Sequence, residues 1–342
     1  MERNYAIDFI KFFAIFAVVV IHTFPLDSQI ALFILDNLSR FAVPFFFVAS
    51  GYLFGIKIIK NRESVVYFKR YVIKIVKIYV CWLIFYTIYD VLVIYQSHSN
   101  VHQKLMKYFD EFTMLNLLYF GKGTSGYQLW FLTALIWSII ILFIFFRLKK
   151  LNVLLTLSFI LNIIGLFGQS YSIFYKISIN TRDAIFFGLF YTTLGFFFAY
   201  HSQFMKSLKI NINIYLYLFF VFSCLQVAEG YILEKILSAS HGEYFISTIF
   251  LTLFLFSFAL NNNQLGKGLL ATKIGSNALG IYIIHVFFIK IIEMGVNVLG
   301  LKSMTENLIW TQLFTLFIFV ISYVAYNFLQ SIKQAFKGKE KK

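Results

Sequence analysis

The sequence predicts an all-α integral membrane protein, a single bundle of about ten transmembrane helices with both termini in the cytoplasm. Hydrophobic residues make up 60% of the chain and charged residues only 13%, whereas about 25% of the residues of a typical soluble domain are charged. The apolar residues form continuous blocks close to the roughly 20 residues that cross a bilayer. The basic residues lie in short clusters between these blocks.

The apolar blocks predict helices at residues 7–25, 41–57, 72–95, 129–146, 151–168, 183–200, 211–228, 244–261, 274–295 and 308–330. Residues 1–342 are predicted to form one membrane domain, with an outer segment at 96–127 and a basic cytoplasmic tail at 331–342. The outer stretch from Lys104 to Phe120 is amphipathic and too polar to span a bilayer. It predicts an interfacial helix or a re-entrant segment.

The loop charges predict the orientation, because cytoplasmic loops of membrane proteins carry an excess of Lys and Arg. Along one side the loops contain Lys57, Lys60, Arg62, Lys69 and Arg70, then Arg147, Lys149 and Lys150, then Lys206 and Lys209, and then Lys267 and Lys273. The alternate loops contain fewer basic residues, so the richer side is predicted to be cytoplasmic. These clusters account for the net charge of +15 without a nucleic-acid partner. They leave contacts with membrane lipid or phosphate groups open.

The first predicted helix contains the ionisable residues Asp8, Lys11 and His22. An ionisable residue inside a span is costly and is therefore a candidate site residue. Lys11 and His22 are separated by about 16 Å along a helix and about 20° around it, so both project from nearly the same face. Two structural interpretations stay open. In the first, Lys11 has no role in a site and extends its ammonium group to the interface along its aliphatic chain. In the second, His22 has no role in a site and forms its hydrogen bonds at the interface.

Five further positions have both a functional and a structural interpretation. Arg40 and Arg182 are candidate site residues or interfacial anchors, and Trp130 is a candidate site residue or part of an interfacial aromatic belt. Ser50 lies beside Gly51, where a small pair also suits close helix packing. His285 is either a site residue or a buried, hydrogen-bonded group. The residues by themselves do not decide between these interpretations.

Four other residues support smaller predictions. Lys290 and Glu293 lie three positions apart on one helix and are predicted to pair. Cys81 and Cys224 fall inside apolar blocks and are predicted to be buried small hydrophobes, not a disulfide. No cluster of His, Cys or carboxylate residues in the sequence has the spacing of metal ligands, so no metal cofactor is predicted.

Taken in order, these segments resemble the membrane acyltransferase type 3 family, and the resemblance covers nearly the whole chain. It is most similar to the subgroup of the enterobacterial common antigen O-acetyltransferase and small exopolysaccharide O-acetyltransferases. The segments that carry it are Ile7-Asp8-Phe-Ile-Lys11 with Val19-Val20-Ile21-His22, Arg40 through Pro44 and Ser50-Gly51-Tyr52 to Leu53, Leu129-Trp130-Phe131-Leu132, Arg182 with Gly195, and Gly275-Ser276-Asn277 through Tyr282 to His285.

The resemblance implies a bundle of about ten helices in the bacterial plasma membrane that transfers an acyl group, usually acetyl, from cytoplasmic acyl-CoA. The implied acceptor is a hydroxyl of a cell-envelope or secreted glycan or of its lipid-linked precursor. Acetyl-CoA is then a substrate and no metal is required. Succinyl in place of acetyl stays open, as does a transporter or flippase for a glycan or lipid-linked sugar, or a binding role.

The resemblance also implies roles for individual residues. His22 matches the family's essential histidine, as general base or acyl acceptor, and Lys11 stands where the family usually has Arg. Gln128 stands where many members of the subgroup have His. The predicted acyl-CoA-binding residues are Lys11, Arg70 and Lys74, and the predicted supporting or acceptor-side residues are Arg40, Ser50, Trp130, Arg182 and His285. Among these, Trp130 is expected to stack on a sugar face, and His285 is expected to orient His22 or to line the acceptor path.

Overall fold

The computed structural model describes residues 3–24, 30–60, 63–97, 100–202, 211–301 and 307–339, and these residues form helices and turns without a β-strand. The predicted loop residues Arg62, Lys206 and Lys209, the end of the first predicted helix at residue 25 and the tail residues 340–342 lie outside this description. The α-helices are α1 Tyr5–Thr23, α2 Ile30–Ser39, α3 Ala42–Ile58, α4 Ser64–Gln96, α5 Val101–Asp110, α6 Trp130–Arg147, α7 Leu151–Leu166, α8 Leu189–Tyr200, α9 Ile212–Tyr231, α10 Ile246–Asn261, α11 Leu270–Ser276, α12 Ala278–Val298 and α13 Leu308–Lys339.

Short helical turns extend several of these helices. A 3-10 turn at Tyr127–Leu129 precedes α6, a π-helical turn at Ala184–Gly188 precedes α8, and another at Ile232–Ile236 follows α9. Seven helical segments of the described chain are long and apolar enough to cross a membrane, and three shorter apolar helices lie at Leu151–Leu166, Ala184–Tyr200 and Ile246–Asn261. The chain therefore has the helices of a multi-pass membrane protein. Ten crossings and two cytoplasmic termini stay predictions.

Each predicted helix overlaps an observed one, and the differences lie in a short helix, in basic or polar helix ends and at one interruption. The sequence treated 26–40 as a loop, but α2 forms there and buries Leu32 and Phe33. The N-terminus of α4 lies eight residues before the predicted one, because basic residues favour helices although they disfavour a span. The predicted helix 274–295 is interrupted at Asn277, between α11 and α12. The predicted tail is helical as far as Lys339.

The prediction that both cysteines are buried is wrong. Cys81 and Cys224 are free and exposed. They lie on α4 and α9, two helices whose apolar stretches are only 17% buried inside the protein. In a membrane an apolar side chain is as stable against lipid as inside the bundle, so hydrophobicity did not imply burial. The predicted ion pair of Lys290 with Glu293 is confirmed, at 3.5 Å between Nζ and Oε2.

The chain divides into two compact bodies. The terminal body contains residues 1–42 and 262–342, in which α1 packs against α2, α11, α12 and α13. Gly275 of α11 lies against the backbone of Asp8, where a Cβ would overlap the carbonyl oxygen. The backbone N–H of Tyr5 also donates to the carbonyl of Asn263, at 2.8 Å. These contacts fix the position of the N-terminal half of α1 against the residues that follow Asn262.

The central body contains residues 43–261. In it α3 and α8 touch through glycines: a Cβ on Gly51 would overlap the carbonyl oxygen of Thr192, and one on Gly195 would overlap that of Val48. Small residues allow such close approach between membrane helices. The structural interpretation of the Ser50–Gly51 pair, close helix packing, therefore holds for Gly51.

Buried residues along one face of α4 hold the predicted outer segment of the central body in place. The buried residues of α4 are Ile75, Tyr79, Tyr86 and Asp90. The Tyr79 hydroxyl donates to the carbonyl of Leu117, the Gln128 side-chain amide donates to the Tyr86 hydroxyl at 2.8 Å, and Asp90 accepts from the backbone N–H of Ser125 at 2.8 Å and from the Tyr108 hydroxyl at 2.9 Å. The predicted amphipathic stretch is thus α5 and a π-helical turn at Asn116–Phe120. Its place in the membrane interface stays a prediction.

Candidate functional site

Two histidines from distant parts of the sequence meet inside the terminal body. His22 ends α1 and His285 lies in α12, and their imidazole rings stack with centroids 5.3 Å apart and planes at 25°. His285 is completely buried, whereas His22 is half-buried. Next to His22, the hydroxyls of Thr23 and Thr315 are hydrogen-bonded at 2.6 Å, which ties α13 to the same end of α1. The terminal body therefore brings together two of the predicted site residues.

His285 is an unusual buried group. Both of its ring nitrogens are buried, and neither forms a hydrogen bond of normal geometry with any residue that the structure describes. Leaving a buried polar group unpaired typically costs about 1–3 kcal/mol, so such a group calls for an explanation. The burial expected of a structural histidine is present, and the ring contacts the backbone of Tyr282 and Ile281 without normal hydrogen-bond geometry, so both interpretations of His285 stay open. A functional role next to His22 would explain a buried imidazole at this position.

Lys11 is paired at the other end of α1. Its ammonium group lies 3.4 Å from Asp8 Oδ1, while the Arg3 guanidinium lies 2.8 Å from Asp8 Oδ2. Two cations therefore share one carboxylate, and the group keeps a net positive charge. Ion pairing within α1 is therefore a structural role for both Asp8 and Lys11. Binding of acyl-CoA by Lys11 stays a prediction.

Arg40 is one half of a buried ion pair in the terminal body. It follows α2 and binds Asp36 with both Nε and Nη2, at 3.1 and 2.8 Å, and each residue is only 4% exposed. The sequence analysis missed Asp36 because it lay in a presumed loop. An acidic and a basic residue four positions apart in an otherwise apolar stretch was the available signal.

In the central body the structure brings Trp130 and Arg182 together. The Arg182 guanidinium lies over the Trp130 ring, 5.0 Å from the centroid, and forms an ion pair with Glu243. Trp130 is only 6% exposed. The expectation that Trp130 stacks on a sugar is therefore wrong for this arrangement, because burial and the Arg182 guanidinium block the ring. Glu243 was not predicted, since only the packing of the loop before α10 places it here.

Asp183 anchors the same end of the central body. One carboxylate oxygen accepts from the backbone N–H of Phe186 at 2.8 Å and so caps the helical turn that leads into α8. The other accepts from the Tyr119 hydroxyl at 2.9 Å. Burial raises the pKa of the Asp183 carboxyl above its ordinary value, although these hydrogen bonds act in the opposite direction. Asp183 therefore orients the segment that carries Arg182.

The remaining predicted residues occupy separate places. Ser50 is half-buried in α3, and Arg70 and Lys74 are exposed along the first turns of α4. A cavity of about 890 Å³ lies among the ends of α3, α6 and α8 and the starts of α4 and α7. The polar and charged residues that line it include Ser64, Arg147, Lys149, Lys150, Tyr200 and His201. Arg70 and Lys74 are not among its lining residues.

Comparison with known proteins identifies the class of protein to which this fold and these residues belong. Residues 4–327 match the acyltransferase domain of the acyltransferase 3 family, so the chain belongs to that family. The apolar helices are those expected of a membrane-embedded member of that family.

Its curated relatives include two amino-acid racemases of Enterococcus faecalis. One is 26% identical over 314 residues, which cover 85% of this chain and 42% of the relative. The other is 28% identical over 211 residues, which cover 57% of this chain and 28% of the relative. The matched region therefore spans less than half the length of either relative. No solved structure matches the chain.

Proposed function

We propose that the protein is a membrane O-acyltransferase that moves an acetyl or other short acyl group from cytoplasmic acyl-CoA to a glycan hydroxyl. The acceptor is a cell-envelope or secreted glycan or its lipid-linked precursor, as in the O-acetyltransferase subgroup that the sequence resembles. Membership of the acyltransferase family supports the reaction class. The observation that carries the proposal is the stacked pair of His22 and buried His285 inside an apolar helical body.

His22 is the proposed catalytic residue. A neutral imidazole accepts a proton, so His22 takes the proton of the acceptor hydroxyl while the hydroxyl oxygen attacks the thioester carbonyl. The carbon–sulfur bond breaks, and the leaving CoA sulfur takes the proton from the imidazolium. His285 is the proposed positioning residue that fixes the His22 ring through their stacked contact. An acyl-histidine on His22, formed and then cleaved by the acceptor, uses the same residues.

The cavity of the central body is the proposed site for the phosphates of acyl-CoA. Its volume of about 890 Å³ lies within the roughly 300–1,000 Å³ of small-molecule sites. Arg147, Lys149 and Lys150 supply cations for charge-assisted hydrogen bonds to phosphate oxygens. This end of the body carries basic loops, which predict the cytoplasmic side. Lys11, with its net positive surroundings, remains a proposed acyl-CoA contact.

On the acceptor side, Arg182 is the proposed direct contact. Trp130 and Glu243 hold its guanidinium in one orientation, so the role of Trp130 becomes positioning, not sugar stacking. Arg40 and Ser50 are proposed as supporting residues. The buried pairing of Arg40 with Asp36 favours a role in holding α2 and the start of α3.

The test uses membrane vesicles, labelled acetyl-CoA and a candidate envelope glycan. His22→Ala should lower acyl transfer by about 10²–10⁴-fold, the usual contribution of a general base. His102→Ala is the matched control, since His102 is exposed on α5 and should retain wild-type activity. Acyl transfer by His22→Ala at the wild-type rate would contradict the mechanism.

The transporter alternative predicts movement of a glycan or lipid-linked sugar without consumption of acyl-CoA. Release of free CoA that depends on acceptor and on His22 therefore separates the two functions. The racemase activity named for the two relatives is not assigned to this chain, because the matched region covers only 42% and 28% of their lengths.

A further inference from the structure

Helix α4 is much longer than its apolar portion. Its 33 residues extend about 50 Å, whereas the hydrocarbon core of a bilayer is about 30 Å thick. Residues 78–96 contain Asp90 as their single charged residue and by themselves extend about 28 Å. Residues 64–77 of α4 therefore extend beyond the hydrocarbon core.

The excess length is basic, and it faces away from the protein. Arg70, Lys74 and Lys77 are spaced i, i+4 and i+7, so they form one stripe on a helix. This stripe lies roughly opposite the buried row that includes Ile75 and Tyr79. Together with Lys69 it forms the basic face of α4, and all four side chains are exposed. None of the four forms an ion pair with a carboxylate of the described residues.

Apolar side chains lie on the same exposed arc. Val66, Ile73, Val76 and Val80 are large hydrophobic residues with high exposure. In water such a surface would be unfavourable. A helix with interleaved basic and apolar side chains is stable at the boundary of headgroups and acyl chains, where each kind of side chain finds its own environment.

The basic face differs from the cavity in shape and in residues. The cavity is bordered by five helix ends and has its own cations at Arg147, Lys149 and Lys150. The basic face is one side of a single helix, without walls that would enclose a nucleotide. Its geometry suits ligands that are presented side by side in a plane, as phosphates are at a membrane surface.

We propose that the basic face of α4 binds the phosphate groups of anionic phospholipids in the membrane leaflet at that end of the helix. The apolar residues of the arc contact the first carbons of the acyl chains, and the four cations contact the headgroups. This site is independent of acyl transfer. It gives Arg70 and Lys74 a lipid ligand in place of acyl-CoA.

The test compares two charge-removal variants of the full-length protein, extracted from vesicles that contain equal amounts of phosphatidylglycerol and phosphatidylcholine. Native mass spectrometry measures the ratio of the two lipids that remain bound. The variant K69Q/R70Q/K74Q/K77Q should lower the preference for phosphatidylglycerol at least tenfold, since each cation contributes roughly fivefold near an anionic surface. The matched control R147Q/K149Q/K150Q removes cations that line the cavity and should lower the preference much less than the α4 variant does.

Two further measurements keep the outcome decisive. R70K, which keeps the charge, should keep the lipid preference, and R70Q/K74Q provides a milder variant if the fourfold one does not fold. An unchanged lipid ratio in folded R70Q/K74Q overturns the proposal. Loss of acetyl-CoA binding in that variant with an unchanged lipid ratio also overturns it and assigns the face to acyl-CoA. Failure of acyl transfer in the wild type leaves the lipid ratio unaffected, so the two proposals fail separately.

Discussion

The Arg182 cluster of the central body and the histidine pair of the terminal body differ in how their ionisable side chains are paired. In the central body Arg182 has Glu243 and the Trp130 ring, and Asp183 has the Phe186 N–H and the Tyr119 hydroxyl. In the terminal body His285 is buried without a hydrogen bond of normal geometry to the described residues. Paired groups stabilise the structure that holds them, whereas an unpaired one costs free energy. The contrast is consistent with a positioning role for Trp130, Glu243 and Asp183 around Arg182, and with the roles proposed for the histidine pair.

Among the ion pairs of the described terminal body, that of Arg40 with Asp36 is the least exposed, and removal of Arg40 should have the largest effect on stability. Arg40→Ala leaves the Asp36 carboxylate buried and without its bidentate partner, which should destabilise the protein by about 3–5 kcal/mol. The double variant Arg40→Ala/Asp36→Ala should be less destabilised, because no buried charge remains. Thermal unfolding in detergent, combined as a double-mutant cycle, measures the coupling. If the stability losses of the two single variants add up in the double variant, Arg40 does not stabilise the protein through its ion pair with Asp36.

His285→Leu tests the comparison directly. It removes two buried nitrogens, so the melting temperature should stay unchanged or rise. Acyl transfer should fall by roughly 10–100-fold, and the pH–rate profile should shift because His22 loses its neighbouring imidazole. The control is His241→Leu in the central body, whose ring lies 3.0 Å from Glu234. That variant should lose stability and keep the pH–rate profile. A His285→Leu variant that loses stability and keeps its profile would make His285 structural.

Asp183→Ala should have the smallest effect, a loss of stability of about 1–2 kcal/mol from the missing helix cap and the missing partner of Tyr119. Asp183→Asn keeps the capping oxygen and should cost less.

The raised pKa of Asp183 also sets a pH dependence. From its ordinary value of 3.8 upward to the raised value, the folded protein binds more protons than the unfolded chain. The wild type should therefore lose stability relative to Asp183→Asn as the pH rises through this window, as measured by thermal unfolding at a series of pH values.

The sequence predicted the helices well where the signal was local. A run of apolar residues of bilayer length is visible residue by residue, and every predicted helix overlaps an observed one. Family motifs selected His22, Trp130, Arg182 and His285 as candidate site residues before any geometry was known. Helix α2 was missed because ten residues are too few to produce a span signal.

Composition by itself determined that the chain is a helical membrane protein, because hydrophobicity and loop charge act locally along the chain. Only the tertiary structure decided that His285 stacks on His22, that Arg182 covers Trp130, that Asp36 holds Arg40 and that Cys81 and Cys224 are exposed. These outcomes depend on which faces of helices distant in sequence come together. Hydropathy cannot report this, since in a membrane the lipid-facing and bundle-facing sides of a helix are similarly apolar.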